Sequence, residues 1–258
     1  MRRCELRELG RIGYGEALSL QAVLVEQRKQ GAIPDQLLLL EHPHVVTLGR
    51  NGRREHLLAR PEMLERAGIE FFETDRGGDI TYHGPGQLVG YPILDLRQWR
   101  RDVVAYVRGL EQVIIDALAE FGLAAGRVSG CTGVWVEERK IAAIGVHISR
   151  WVTSHGFALN VDTDLSYFRY IVPCGLSRPV TSMAAEGIRA GRAELIGALA
   201  RSFANVFECE VVKGATELRR DGNDRRSDAS DGREYHRGYS DQVAEEARRT
   251  GRTGRAAV

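Results

Sequence analysis

Apolar residues recur at helical spacing between Tyr14 and Gln30, where Ala17, Leu20 and Leu24 share one face with Gln21 and Gly31 ends the run. The period then changes. "DQLLLLEH" is a short unbroken apolar run, a buried strand by its length, and "HVVTLG" reads as a second strand beyond Pro43. Arg60 to Gly68 predicts a short helix with Gly68 at its C-cap. "RGGDITYHGPGQLVGYPILDL" is glycine-rich, with strand-type residues at Ile80 to Tyr82 and Leu88 to Ile93. The clearest stripe is Val103, Val107, Leu110, Ile114, Ala117, Leu118 and Phe121, with Asp102 placed to cap it and Gly122 to end it. "GVWVEERKIAAIGVHI" predicts a hairpin turning at Glu138–Arg139. "SHGFALNV" predicts a further strand after a turn at Ser149 to Thr153. A last helix spans Arg192 to Phe207 and carries Leu195, Ile196, Leu199, Phe203 and Val206. Strands and helices mix without regular βαβ alternation, which predicts an α+β fold: a sheet with helices against it, not a doubly wound one.

From about Thr216 the pattern stops. The segment to Val258 is rich in Arg, Asp, Gly and Ser and poor in apolar residues, so it buries too little surface to offset its ordering entropy. The chain therefore divides into one folded domain, 1–215, and a polar tail, 216–258, expected to be disordered. A net charge of +1 gives no global field that argues for nucleic acid or a membrane surface. No stretch is apolar for long enough to span a bilayer, and the N-terminus lacks the apolar core of a secretory signal. The cysteines Cys4, Cys131, Cys174 and Cys209 lie far apart with no CxxC, which argues against a disulfide framework or a thiolate metal site and for a reducing cytoplasm.

Three stretches carry candidate chemistry. Cys174 sits in "IVPCGL" between a proline and a glycine, and reads as a turn-borne nucleophile, a ligand or a filler; Gly175 beside it could offer an oxyanion N–H. Lys140 opens the strand "KIAAIGVHI" and is either a hairpin-end charge or a partly desolvated amine usable as a base. It is one of only three lysines among 36 basic residues. Ala143 and Gly145 on its strand would let an acyl chain or a loop come close. "RGGDITYHGPGQ" holds Arg76, Asp79, Tyr82 and His83 on a glycine-rich loop pair; it is neither a P-loop nor a dinucleotide fingerprint, and reads as a substrate-shaping loop. His42 and His44 have no matching further ligands and read as loop histidines. His147 and His155 either line a pocket or are satisfied core residues. Cys4, Cys131 and Cys209 read as fillers.

Together "EHPHVVTLGR", "RGGDITYHGPGQLVGYPILDL", "GVWV…KIAAIGVHISRWVTSHGFALNV" and "FRYIVPCGL" resemble the lipoyl(octanoyl) transferases of lipoate biosynthesis, over roughly Leu9 to Val212. His44, often proline in that family, and the polar tail depart from the pattern. The resemblance implies a single domain like that of the biotin and lipoate protein ligases, with a mixed sheet flanked by helices. It implies a catalytic pair, Cys174 and Lys140, and a substrate site at Arg76, Gly77, Gly78, Tyr82, His83, Gly84, Ala143, Ile144, Gly145, His155, Gly156, Phe157 and Ala158. The implied reaction moves octanoyl from octanoyl-acyl carrier protein to Cys174, then to a lysine of a lipoyl domain, without cofactor or metal. The lipoyl domains of 2-oxoacid dehydrogenases and the glycine cleavage H protein are the implied acceptors; no nucleic acid or membrane is. Gly175 N–H and a backbone donor near Gly77–Gly78 are the expected oxyanion hole, and Arg50, Arg53 and Arg54 a docking cluster for acidic carriers. The competing readings are an ATP-dependent ligase of the same fold, a thioesterase and a non-catalytic binding module.

Overall fold

The computed structural model describes residues 1–172 and 178–214; Cys174, Gly175 and the polar tail lie outside the described residues. In chain order the elements are β1 (Arg2–Arg11), α1 (Tyr14–Lys29), β2 (Asp35–Glu41), β3 (Val45–Leu48), α2 (Pro61–Arg66), β4 (Glu70–Glu73), β5 (Ile80–His83), β6 (Gln87–Ile93), α3 (Val103–Ala119), β7 (Gly126–Val128), β8 (Cys131–Val136), β9 (Arg139–Ser149), β10 (Val152–Asn160), α4 (Arg192–Phe207) and β11 (Cys209–Lys213). They form an eight-stranded sheet, β11-β1-β2-β6-β10-β9-β8-β7, and a three-stranded sheet, β4-β3-β5. β1 runs parallel to both β2 and β11, while the pairings from β2 to β7 are antiparallel, so the large sheet is mixed.

The four leucines of β2 explain the layers. Successive side chains on a strand face opposite sides. Leu37 and Leu39 enter the core under α3 and α4, with Ile114, Leu118, Leu199 and Phe203. Leu38 and Leu40 enter a second core with Ala17 and Leu24 of α1. An unbroken apolar run is what a strand covered on both faces requires. A third core holds the small sheet, where Val46, Leu48, Ile80 and Tyr82 meet Leu64 of α2 and Ile171.

Several predicted boundaries hold. Asp102 accepts a hydrogen bond from Ala105 N at 3.0 Å and starts α3. The hairpin after β8 turns one residue earlier than expected: Val136 pairs with Arg139, and Glu137 takes a positive φ of 52°. Arg150 and Trp151, both at positive φ, form the two-residue turn joining β9 to β10. β1, β4, β7 and β11 have no counterpart in the hydrophobic pattern. They lie at or next to sheet edges, or have only three residues, so their side chains are largely half-exposed.

The central strands approach closely at glycines. A Cβ on Gly156 of β10 would collide with the Gly90 carbonyl of β6 and stand 2.6 Å from Pro92 Cδ. Both obstacles belong to the main chain or its proline ring, so neither can rotate away. Gly156→Ala should destabilise the protein by about 1–3 kcal/mol. Gly126→Ala, where no atom lies within 4 Å, should stay within about 0.5 kcal/mol of wild type. Denaturant unfolding of the two variants checks this.

Candidate active site

A cavity of about 370 Å³ opens between β9 and β10 of the large sheet, β5 and the 76–79 loop beside the small sheet, and residues 130–132 at the start of β8. Lys140 lines it, as do Arg76, Gly78, His83, Ala143, Ile144, Gly145, His155, Gly156, Phe157 and Ala158, all expected from the sequence. Three expected residues do not line it. Strand alternation sends Thr81 and His83 toward the cavity and Tyr82 into the third core, where its ring stacks on Tyr167 and its hydroxyl bonds His44 Nδ1 at 2.8 Å. Gly84 packs against that same Tyr82 hydroxyl. Gly77 donates its N–H to Val146 O at 2.9 Å, so that donor is committed to holding the loop on β9 and is lost to the expected oxyanion hole.

Small residues on β9 make this arrangement possible. A Cβ at Gly145 would stand 2.8 Å from the Gly77 carbonyl, so only glycine lets the loop lie down there. Arg76 fastens the loop from the other side. Its guanidinium donates to Thr47 O at 2.7 Å, to Thr47 Oγ1 at 2.8 and 3.2 Å, and to Gly77 O at 3.1 Å. Asp79 accepts from Ile80 N and Arg53 N and pairs with His56.

Lys140 is the second residue of β9, not its opening residue, and is 8% exposed. Its ammonium lies 4.7 Å from the centre of the Trp135 ring. Its backbone pairs beyond the sheet: Lys140 N donates to Pro179 O, and Thr181 N donates to Lys140 O, both at 2.9 Å. On the other side of residues 173–177, Val172 N donates to His56 O at 2.8 Å.

Buried side chains connect these parts. His83 Nδ1 lies 2.7 Å from Gln87 Oε1. Gln87 Nε2 donates to Asn160 Oδ1 at 2.9 Å, and Asn160 Nδ2 donates to Thr181 O at 2.9 Å. Because Gln87 offers His83 an acceptor, Nδ1 carries the proton and the Nε2 lone pair is left over. Burial, then the repulsion that two charged imidazoles would suffer beside each other, lower the His83 pKa to about 3. His42, beneath it, donates to Ile12 O at 2.9 Å and accepts from the Tyr91 hydroxyl at 2.7 Å; burial lowers its pKa to about 4.

The sequence reading missed Tyr14, Asn51, Thr81, Tyr91 and Thr132 on the cavity wall, and took Cys131, also on it, for a filler. Cys131 and Thr132 share one usable signal, the run of small residues in "SGCTGV", and Thr81 lies within the glycine-rich loop read as substrate-shaping. Tyr14, Asn51 and Tyr91 are brought in by tertiary packing. Among the described residues, no group of three or more His, Cys, Asp or Glu side chains could hold a metal ion.

The family model described as lipoyl protein ligase A/B catalytic domain matches residues 13–204. An octanoyltransferase of Solibacter usitatus (strain Ellin6076) is 68% identical over 216 residues, covering 84% of this chain and 98% of that one. The chain belongs to the octanoyltransferases. A second octanoyltransferase, from Acidobacterium capsulatum, is 54% identical over 80% of this chain and 91% of its own. This membership makes the protein an acyltransferase that moves octanoyl groups in protein lipoylation. A crystal structure of lipoate-protein ligase A bound with ATP superposes with a TM-score of 0.67 at 20% identity, over 83% of this chain and 88% of that one. At that identity the likeness shows the shared fold, a single catalytic domain built on a mixed sheet. Among the described residues no helix is long and apolar enough to cross a membrane.

The two buried histidines set an acid limit on stability. Each stays neutral in the fold, while the unfolded chain protonates it below a pKa of 6.5. Unfolding therefore takes up protons, and stability falls as pH drops from about 6.5 toward 4 for His42 and toward 3 for His83. Each contributes a slope of about 1.4 kcal/mol per pH unit in that window. His42→Gln should flatten the pH dependence between pH 6 and 4.5 by that amount, measured by denaturant unfolding at several pH values.

Proposed function

We propose that Cys174 carries the octanoyl group as a thioester between two protein partners, and that Lys140 moves the protons. The observation that supports this most directly is Lys140 itself. It is buried on the cavity wall, with its backbone bonded to Pro179 and Thr181, the residues that follow the cysteine-bearing segment. The neutral amine takes the Cys174 proton as the thiolate attacks octanoyl-acyl carrier protein, and the ammonium returns it to the leaving pantetheine thiolate. Thioester to thioester is a near-even exchange, and thioester to amide runs downhill, so the sequence of steps needs no ATP. The octanoyl chain lies along Ala143, Ile144, Gly145 and Ala158, with His83 and the Arg76–Gly78 loop closing the wall. The second acceptor is a lysine of a lipoyl domain, as in 2-oxoacid dehydrogenases and the glycine cleavage H protein, and the work is done in the cytoplasm.

Intact-mass analysis tests the acyl-enzyme. With octanoyl-acyl carrier protein alone, the wild-type chain should gain one octanoyl mass, and Cys174→Ala should gain none. An ATP-dependent ligase or a binding module would leave the wild type unmodified. Lys140→Arg should slow acylation by on the order of 10²-fold or more, because a guanidinium stays protonated; wild-type rates in that variant would remove Lys140 as the base.

Arg50, Arg53 and Arg54 are all exposed, and Arg54 pairs with Glu73 at 2.5 Å. We assign them to docking of the acidic carrier. Reversing their charges should raise the KM for octanoyl-acyl carrier protein while sparing turnover at saturation. Steady-state kinetics at two salt concentrations reads this, and an unchanged KM with unchanged salt dependence would remove the cluster.

A further inference from the structure

Transfer from thioester to lysine frees two protons, and if Lys140 keeps the one that Cys174 does not take, it ends as an ammonium that cannot serve as base in the next acylation. The acceptor lysine arrives as an ammonium. Its nitrogen bonds the acyl carbon, the C–S bond breaks, and on the way to the amide the nitrogen sheds two protons. Lys140 relays one of them to the Cys174 sulfur and ends as it began. A second base in the cavity would take the other proton and leave Lys140 a neutral amine.

We propose that this base is His155, held by Asp75. His155 is 3% exposed and lines the same cavity as Lys140. In register it stands opposite Val146, a residue packed toward the α3–α4 core. Its φ of 55° lies in the left-handed region, a strained conformation for a residue with a Cβ. That backbone brings the imidazole instead to Asp75, with which His147 of the neighbouring strand also pairs at 3.6 Å. Gln21 of α1 fixes the turn by accepting the His155 N–H at 2.7 Å.

The hydrogen bonding leaves one nitrogen for chemistry. His155 Nε2 lies 2.8 Å from Asp75 Oδ1, while Nδ1 is buried with no hydrogen-bond partner among the described residues. Burial raises the Asp75 pKa, but the His155 hydrogen bond, then the proximity of His155, His147 and Arg50, outweigh it and hold the carboxyl at about 2. An ionised Asp75 accepts Nε2–H, so the neutral imidazole carries its lone pair on Nδ1. A buried, unpaired acceptor on a strained residue is an arrangement that stability alone does not favour. When Nδ1 takes the second proton, the imidazolium faces a carboxylate that is itself 29% exposed, through which the charge reaches water. The protons balance: acyl-Cys174, lysine ammonium and neutral His155 become octanoyl-lysine, free thiol and protonated His155.

This inference rests on the acyl-enzyme reading, and half-reactions separate the two. The enzyme is loaded from octanoyl-acyl carrier protein, freed of carrier, and mixed with a lipoyl domain or with hydroxylamine at pH 7. Hydroxylamine is a neutral amine there and sheds only one proton. In His155→Gln, transfer to the lipoyl domain should fall on the order of 10²-fold further than acylation does, with discharge to hydroxylamine falling no further than acylation. Asp75→Asn should give a smaller loss with the same selectivity, and it carries the test if the first variant does not fold. Equal losses toward lysine and hydroxylamine, or no loss in transfer, would overturn the assignment of His155. A wild-type chain that never gains octanoyl would overturn the acyl-enzyme reading beneath it.

Discussion

The hydrogen-bonded chain from His83 through Gln87 and Asn160 to Thr181 and the backbone of Lys140 is what the site depends on. Each of these groups is buried, and a buried polar group without a partner costs about 1–3 kcal/mol. The chain therefore closes as a unit or not at all. It ties the β5–β6 pair to the β9–β10 pair and to the residues that follow 173–177. The backbone of Lys140 is thus held through both its N–H and its carbonyl.

Around that chain the two sheets play different parts. The large sheet, covered on both faces by helices, supplies the rigid strands β9 and β10. The small sheet, with its own core, brings the glycine-rich loop against them. Both sides of that loop depend on missing side chains: Gly145 of β9 admits the Gly77 carbonyl, and Gly49, after β3, admits the Gly78 carbonyl. Arg76 then uses its hydrogen bonds on Thr47 and Gly77, so its charge serves the architecture of the wall.

The histidines near the cavity divide by their surroundings. His42 and His83 are neutral because burial removes water without supplying an anion, and each has donor and acceptor partners in a fixed tautomer. His155 has a carboxylate on one nitrogen and, among the described residues, no hydrogen-bond partner on the other. Three imidazoles within one small region thereby acquire different chemistry from the same side chain.

Much of this was legible in the sequence. The period of the apolar residues marked α1, α3, α4 and β2. Glycine and proline marked the turns, and the long motifs marked the family, Lys140 and most of the cavity wall. The charged β1, at the margin of the large sheet, escaped because a half-exposed strand carries little hydrophobic signal. Tyr82 was misplaced because adjacent residues of a strand face opposite sides, and only the packed sheet tells which side holds the cavity. Tyr14 and Tyr91 joined the site across the fold, from a helix and a central strand with no local mark of function. His155 was legible as a candidate, but its pairing with Asp75 was not. The sequence by itself determined the periodicities, the turns and the chemical inventory, because these are local properties. Which side chains meet, and which nitrogen is left without a partner, only the tertiary structure decided, because both depend on strand register and on contacts between residues distant along the chain.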